Sequence, residues 1–524
     1  VPLDAPPVPA LRRPRPRPHV RAAAVVGAGA LLLAGCVAPK EQTTPPTVDA
    51  DGQTQAPVEG GIEAYYGQEV AWEECGDLEC AVVQAPLDWD DPGAGSIELA
   101  MSRSLATGPD DARVGSLLLN PGGPGSSGIE FLEGAGAAFG EPVREAFDLV
   151  GFDPRGVGAS SAVDCGDGSV LDDFFLDVPP LEDDADVEAA RARVAAFSEG
   201  CLAATGPLLG HVDTVSAARD LDLLRALLGD EQLHYAGFSY GTFLGATYAE
   251  LFPERVGRML LDGALDPSIS SEQLSVGQAE GFEAALRAYV EDCQAGNGCP
   301  LRGSTDEGMQ QIARLVERTA QQPLDTEGGV PLNATLAVYG IVRTLYNDAD
   351  WPALTAGLEE ALTTDTGALL LAFANDYLSR TADGDYLDNT MVAFTAINCL
   401  DYPSERMDAA ALAERTAAIE EVAPTLGRFF ATDVGCDGWA VPSTGERGPI
   451  AADGAAPIVV VGTTGDPATP YAWSVSLAEQ LSSGVLVTWE GEGHTAYLRS
   501  NACVTDAVDA YLVDGTVPED GLTC

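Results

Sequence analysis

The chain of 524 residues contains a single lysine, Lys40. That scarcity excludes a Schiff-base lysine, a P-loop lysine and a Ser–Lys dyad from everything after residue 40. Histidine is nearly as rare, at His19, His211, His234 and His494. No two cysteines have C-x-x-C spacing, and with so few histidines a zinc site is not expected. Basic charge is short as well, with 27 Lys and Arg against 81 Asp and Glu and a formal net charge of −54. Such a surface repels phosphate backbones, so nucleic acid is excluded as a partner. The acidic residues are spread along the chain, as on the solvated surface of an exported protein. They would still attract a cationic substrate end such as a peptide α-amino group. No run is long and apolar enough to span a bilayer.

What is present begins with a basic segment, Arg12, Arg13, Arg15, Arg17 and Arg21, followed by apolar Ala22 to Ala34. The segment ends Leu33-Ala34-Gly35-Cys36, which reads as a signal peptide over 1–35 with a lipobox-like end. Cys36 is the expected lipidation site, and the Pro/Thr-rich stretch 36–60 is the expected tether. The expected location is therefore outside the cytoplasm, as a cell-surface lipoprotein or a secreted protein. Its only membrane contact would be that N-terminal lipid. Cleavage removes five Arg and one Asp, leaving a net charge near −58. Without Cys36, ten cysteines remain, and an even number in an exported chain predicts five disulfides. Sequence does not fix their connectivity. Nearest-neighbour pairing closes short local loops and predicts Cys75–Cys80, Cys165–Cys201, Cys293–Cys299, Cys399–Cys436 and Cys503–Cys524.

Along 61–262, short apolar runs alternate with helix-length segments. Ser116–Leu119, Phe147–Phe152, Leu233–Phe238 and Arg258–Leu261 read as strands, and Thr214–Leu228 as a helix. This order predicts a mostly parallel sheet with helices on both faces. From 263 to 453 the pattern is helical, which predicts an inserted α-helical cap. Strands resume over 454–524 at Ile458–Val461 and Val485–Trp489, completing the sheet.

The most informative segment is Gly237-Phe238-Ser239-Tyr240-Gly241, the only G-x-S-x-G in the chain. It lies between an apolar strand and a helical stretch, the setting of a nucleophile elbow, and its flanking glycines would permit a strained turn. A serine nucleophile needs an imidazole base. His19 falls in the signal, His234 inside an apolar strand, and His211 before a helix without turn chemistry around it. His494, in the loop Glu490-Gly491-Glu492-Gly493-His494-Thr495 after the last long strand, is the expected base. The orienting acid should lie between serine and histidine in chain order; Asp466 is the expected one, with Asp262 the competitor. Oxyanion donors are expected at the Tyr240 N–H and in the loop Asn120 to Gly128, where Gly123 is preferred and Gly122 is the alternative.

Pro121-Gly122-Gly123-Pro124-Gly125 resembles the H-G-G-P-G loop of prolyl aminopeptidases, with Pro121 in place of the histidine. Asp153-Pro154-Arg155-Gly156-Val157-Gly158-Ala159-Ser160 resembles their D-x-R-G-x-G-x-S segment. The paired cysteines, Ala396-Ile397-Asn398-Cys399 and Gly465-Asp466-Pro467-Ala468-Thr469-Pro470 are similar to the secreted actinobacterial tripeptidyl aminopeptidases, which end in a TAP-like domain. The resemblance covers roughly 65–524. It implies an α/β-hydrolase fold with a helical cap and a serine exopeptidase that needs no metal or organic cofactor; the sequence leaves the oligomeric state open, with a monomer expected. It also implies a triad of Ser239, Asp466 and His494 acting on peptides with a free N-terminus. Such an enzyme needs an acidic partner for the substrate ammonium, and Glu130 is a candidate. An esterase or lipase with the same triad is the alternative, and a non-catalytic peptide-binding lipoprotein a more distant one.

Overall fold

Ten strands build one twisted sheet at the centre of the computed structural model, which describes residues 53–524 apart from 177, 327, 328, 404, 432 and 433. The expected signal, Cys36 and most of the tether lie outside those residues. The strands are β1 (Glu73–Cys75), β2 (Leu78–Pro86), β3 (Ser96–Ser104), β4 (Gly115–Asn120) and β5 (Phe147–Phe152). They continue with β6 (Leu233–Phe238), β7 (Val256–Asp262), β8 (Ile458–Gly465), β9 (Gly484–Glu492) and β10 (Leu522–Thr523). Their spatial order is β1-β2-β3-β5-β4-β6-β7-β8-β9-β10. Pairing is antiparallel from β1 through β3 to β5 and parallel from β5 onward.

The parallel strands read as continuous apolar runs because both faces are covered. Leu118, Val150 and Tyr235 pack on one face with Leu221, Leu224 and Leu244. Leu117, Leu119 and Val461 pack on the other with Leu132, Val504 and Val508. Between Asp262 and Ile458 the described residues form seven α-helices and only isolated β-bridges. This is an α/β-hydrolase sheet interrupted by a helical cap. Among the described residues, no helix is long and apolar enough to cross a membrane. Disulfides join Cys75 to Cys80, Cys165 to Cys201, Cys293 to Cys299, Cys399 to Cys436 and Cys503 to Cys524.

Two features were not expected. Strands β1 to β3 form an antiparallel edge from a stretch given no element above. The helix Asp184–Thr205 opens with a capping box, Asp183 with Asp186, and buries Val187, Val194, Phe197 and Cys201. Its apolar stripe is diluted by alanines, which hides the helical period.

The segment after β5 ties the end of β2 to the helix Thr214–Leu227 and the turn before it through a buried cation. The Arg155 side chain is completely buried. It makes a two-pronged contact with Asp220, at 2.6 and 2.7 Å, and donates to the carbonyls of Pro86, Leu87 and His211. All three of its nitrogens are therefore spent. Removing one member of such a pair strands the other charge in a dry interior. Arg155→Met is expected to cost about 3–5 kcal/mol in urea unfolding. A loss below about 1 kcal/mol would show that Asp220 is readily accommodated alone.

Candidate active site

The carboxyl ends of β4, β6, β7, β8 and β9 lie at one edge of the sheet. Register aligns Asn120 with Gly237, Phe238 with Asp262, and Asp262 with Val461. Loops leaving these ends carry Gly122, Gly123, Ser239, Asp466 and His494 to the same rim, far apart as they are in the chain.

Ser239 connects β6 to the helix Tyr240–Leu251 with φ 57° and ψ −126°, a backbone region that costs a non-glycine residue roughly 1–3 kcal/mol. Its N–H donates to the Asp262 carbonyl at 2.9 Å and its carbonyl accepts from Thr242 Oγ1 at 2.6 Å, so the strained turn is held from both sides. Serine at an N-cap usually spends its hydroxyl on the helix N–H groups. The Ser239 side chain makes no capping bond, which leaves Oγ free for chemistry. Ser239 itself has the positive φ, and the flanking glycines permit the turn by leaving room for close packing. A Cβ on Gly237 would sit 2.4 Å from the Gly241 carbonyl oxygen, and one on Gly241 would sit 2.7 Å from Asn120.

His494 Nδ1 lies 2.9 Å from both carboxylate oxygens of Asp466. That carboxylate is immobilised by its surroundings. Oδ1 accepts from the Ala468 and Thr469 N–H groups, and Oδ2 accepts from Thr469 Oγ1 and the Thr495 N–H. The Asx turn that Asp466-Pro467 could have formed for purely local reasons is thus present, and it also aims the carboxylate at the ring. Thr469 Oγ1, 3.2 Å from Nδ1, belongs to this arrangement and was missed. Its spacing of three residues from Asp466 was the available signal. His494 Nε2 is buried and has no hydrogen-bond partner among the described residues, Ser239 Oγ included. His494 Cε1 is 3.2 Å from a Cβ position on Gly263, the residue after Asp262, whose carbonyl accepts the Ser239 N–H.

Asp262, the competing acid, does not reach the imidazole. It is completely buried and accepts from the Ala496 N–H at 3.0 Å and the Tyr497 N–H at 2.7 Å, which fastens the loop behind His494. Burial pushes its carboxyl up to about 7, against the pull of those two N–H groups. His234 is a partly buried structural residue: Nδ1 accepts from the Arg258 N–H at 2.9 Å, and burial lowers its pKa to about 4. His211 closes a short 3-10 turn and gives its carbonyl to Arg155.

The Gly122 N–H is spent on Asn120 Oδ1 at 3.0 Å, whereas the Gly123 and Tyr240 N–H groups have no acceptor among the described residues. Gly122 instead provides the close contact: a Cβ there would be 2.8 Å from Ser239 Cβ and 3.0 Å from the Tyr240 nitrogen. A cavity opens over Ser239 and Gly123, walled by Phe243 from the sheet domain, by Leu265 in the loop after β7 and by Leu274 and Phe394 from cap helices. Asp401 is the acidic residue in its lining. It accepts from the Thr214 N–H and hydroxyl, and burial raises its carboxyl to about 7. Glu130 lies outside that lining, exposed in the first turn of the helix Gly128–Ala135, with its carboxyl raised by desolvation and by Asp388.

A free hydroxyl, an imidazole held by a carboxylate and two unspent N–H groups are the parts that acyl transfer to water requires. Gly122→Ala must push the elbow away from the glycine loop. It is expected to lower turnover of an activated p-nitrophenyl ester about 100-fold with unchanged circular dichroism. Activity within threefold of wild type would show that the close contact has no role.

Comparisons with known proteins agree with this chemistry. The model of the family described as "TAP-like protein" matches residues 423–524. Serine protease Hip1 of Mycobacterium tuberculosis is 36% identical over 535 aligned residues, covering 96% of each chain. Carboxylesterase B of the same species is 37% identical, covering 85% of this chain and 86% of its own. Tripeptidyl aminopeptidase of Streptomyces lividans is 32% identical, covering 87% and 86%. Identity at this level over nearly the whole length settles the family: the chain belongs to the TAP-like, tripeptidyl aminopeptidase-related α/β-hydrolases, and it is a serine hydrolase.

Proposed function

We propose that the protein is an exported serine exopeptidase that removes short peptides, tripeptides foremost, from free N-termini. The observation that carries this reading is the cavity over Ser239, walled on one side by cap helices. A cleft stopped by a cap admits a limited length of chain beyond the scissile bond, and the tripeptidyl aminopeptidase relative supports the same reading.

In this mechanism Ser239 Oγ attacks the scissile carbonyl while His494 Nε2 takes its proton. The Gly123 and Tyr240 N–H groups stabilise the oxyanion. Asp466 holds the ring with Nε2 turned to the serine and stabilises the imidazolium that forms. His494 then protonates the leaving amine, and water releases the acyl group by the same steps. The substrate ammonium needs a carboxylate within the cleft. Asp401 lines it and Glu130 does not, so this reading moves the ammonium contact from Glu130 to Asp401. The partners proposed are peptides with free amino ends, bound and cleaved by a monomer. Export is supported by the disulfides, and Cys36 is the proposed membrane anchor.

The carboxylesterase B relative favours ester hydrolysis as a second reading. A matched substrate set separates the two. Cleavage of Ala-Pro-Ala-anilide with release of the intact tripeptide, abolished at least about 100-fold by N-acetylation, is expected of the exopeptidase. Efficient p-nitrophenyl ester hydrolysis with no anilide cleavage would instead establish the esterase. Ser239→Ala should abolish both activities, and a residual rate above about one thousandth would remove Ser239 as the nucleophile.

A further inference from the structure

The loop that carries His494 is gripped by the cap as well as by the sheet domain. The His494 N–H donates to the carbonyl of Tyr346, at the C-terminal end of the cap helix Ala334–Leu345, at 2.8 Å. The Tyr346 ring meets the imidazole edge to face, with centroids 5.4 Å apart and planes at 85°. A third contact is made by Arg499, five residues beyond the histidine. Its Nη1 donates to the Thr495 carbonyl at 3.0 Å and its Nη2 to the Glu492 carbonyl at 3.1 Å, so one guanidinium brackets His494 on both sides. The same Nη2 reaches across to the cap, to Asn347 Oδ1 at 3.1 Å and Asp348 Oδ1 at 2.8 Å.

The guanidinium is hydrogen-bonded to the backbone on either side of the imidazole, so it couples that backbone to the Tyr346–Asp348 turn of the cap. Trp489 stacks on Arg499, with the guanidinium carbon 5.0 Å from the ring centroid, and limits its swing from the sheet side. Asp262 and Asp466 fix the loop from below, so the cap contacts supply the remaining restraint on where Nε2 points. That nitrogen makes no hydrogen bond to Ser239 in this structure. The direction of Nε2, and with it the engagement of base and nucleophile, is therefore open to displacements transmitted through the cap.

We propose that Arg499, together with the Tyr346–Asp348 turn, is a positioning device through which the cap sets the alignment of His494 with Ser239. The proposal rests on the reading of His494 as the base. It makes the cap part of the catalytic apparatus in addition to its role as a wall of the cleft. Arg499 is a positioning residue: it acts through the loop and touches no reacting atom.

The test compares wild type, Arg499→Met, Arg499→Lys and the cap variant Asn347→Ala/Asp348→Ala, with His494→Ala as control. Steady-state kinetics on a p-nitrophenyl ester and the rate of Ser239 labelling by a fluorophosphonate are measured on each. Misplacing a catalytic group by about 1 Å can cost about 100-fold. Arg499→Met is expected to lower kcat about 10–100-fold with KM within threefold, and to slow labelling in parallel. Arg499→Lys should recover part of that loss, and the cap variant should show a smaller loss of the same kind. Unchanged kcat and labelling in Arg499→Met, or a loss confined to KM, would overturn the proposal. Should Arg499→Met fail to fold by circular dichroism, the cap variant decides, and wild-type labelling there overturns the proposal. Full labelling of His494→Ala would refute the base assignment itself, a failure distinguishable from that of the positioning device.

Discussion

A serine held at positive φ between the ends of two parallel strands is the constraint on which the site depends. The Ser239 N–H is bound to the Asp262 carbonyl, and its carbonyl to Thr242, so the turn cannot relax into ordinary helix. Because it cannot relax, the hydroxyl is unavailable as a helix cap and stays free at the rim. The Tyr240 N–H, in the next residue of the same turn, has no acceptor among the described residues. The glycine loop after β4 then has a fixed surface to pack against, and Gly122 lies close enough that no side chain fits there. Sheet register brings the β8 and β9 loops to the same edge. Strain at one residue is thus compensated by hydrogen bonds that also assemble the neighbouring groups.

Carboxylates around the rim divide the work according to what surrounds them. Asp466 is placed by four N–H and O–H donors so that both of its oxygens face Nδ1 of His494. Asp262, one strand away and fully buried, spends its oxygens on the backbone behind the same histidine. Asp153 braces the oxyanion loop instead, binding Ser127 Oγ at 2.6 Å and the Ala159 N–H at 2.8 Å. Arg155, two residues on, is consumed by Asp220 and three carbonyls. The Asp153-to-Ser160 segment is thus architectural. It supports the site without entering it.

What was legible in the chain was whatever is encoded locally. The elbow, the glycine loop and the Asp466 turn each have a backbone geometry that only certain residues tolerate, so short segments announce them. The buried strands from β4 to β9 were legible because both of their faces are apolar. The hairpin edge and the alanine-diluted helix Asp184–Thr205 were not, since neither has a clean period. Contacts between distant segments left no local trace. Tyr346 and Arg499 read as ordinary cap and loop residues, and Asp401 as one acidic residue among 81 Asp and Glu. Glu130 shows the opposite case: its sequence proximity to the glycine loop suggested the cleft, but the helix carries it to the surface.

Catalysis at this site depends on the hydroxyl of Ser239 being activated by His494. Peptide mapping by tandem mass spectrometry after treatment with a fluorophosphonate tests this most directly. A single adduct on Ser239 in the wild type, absent from His494→Ala over the same exposure, is the predicted result. An adduct on any other residue, or equal modification of Ser239 without the imidazole, would contradict it.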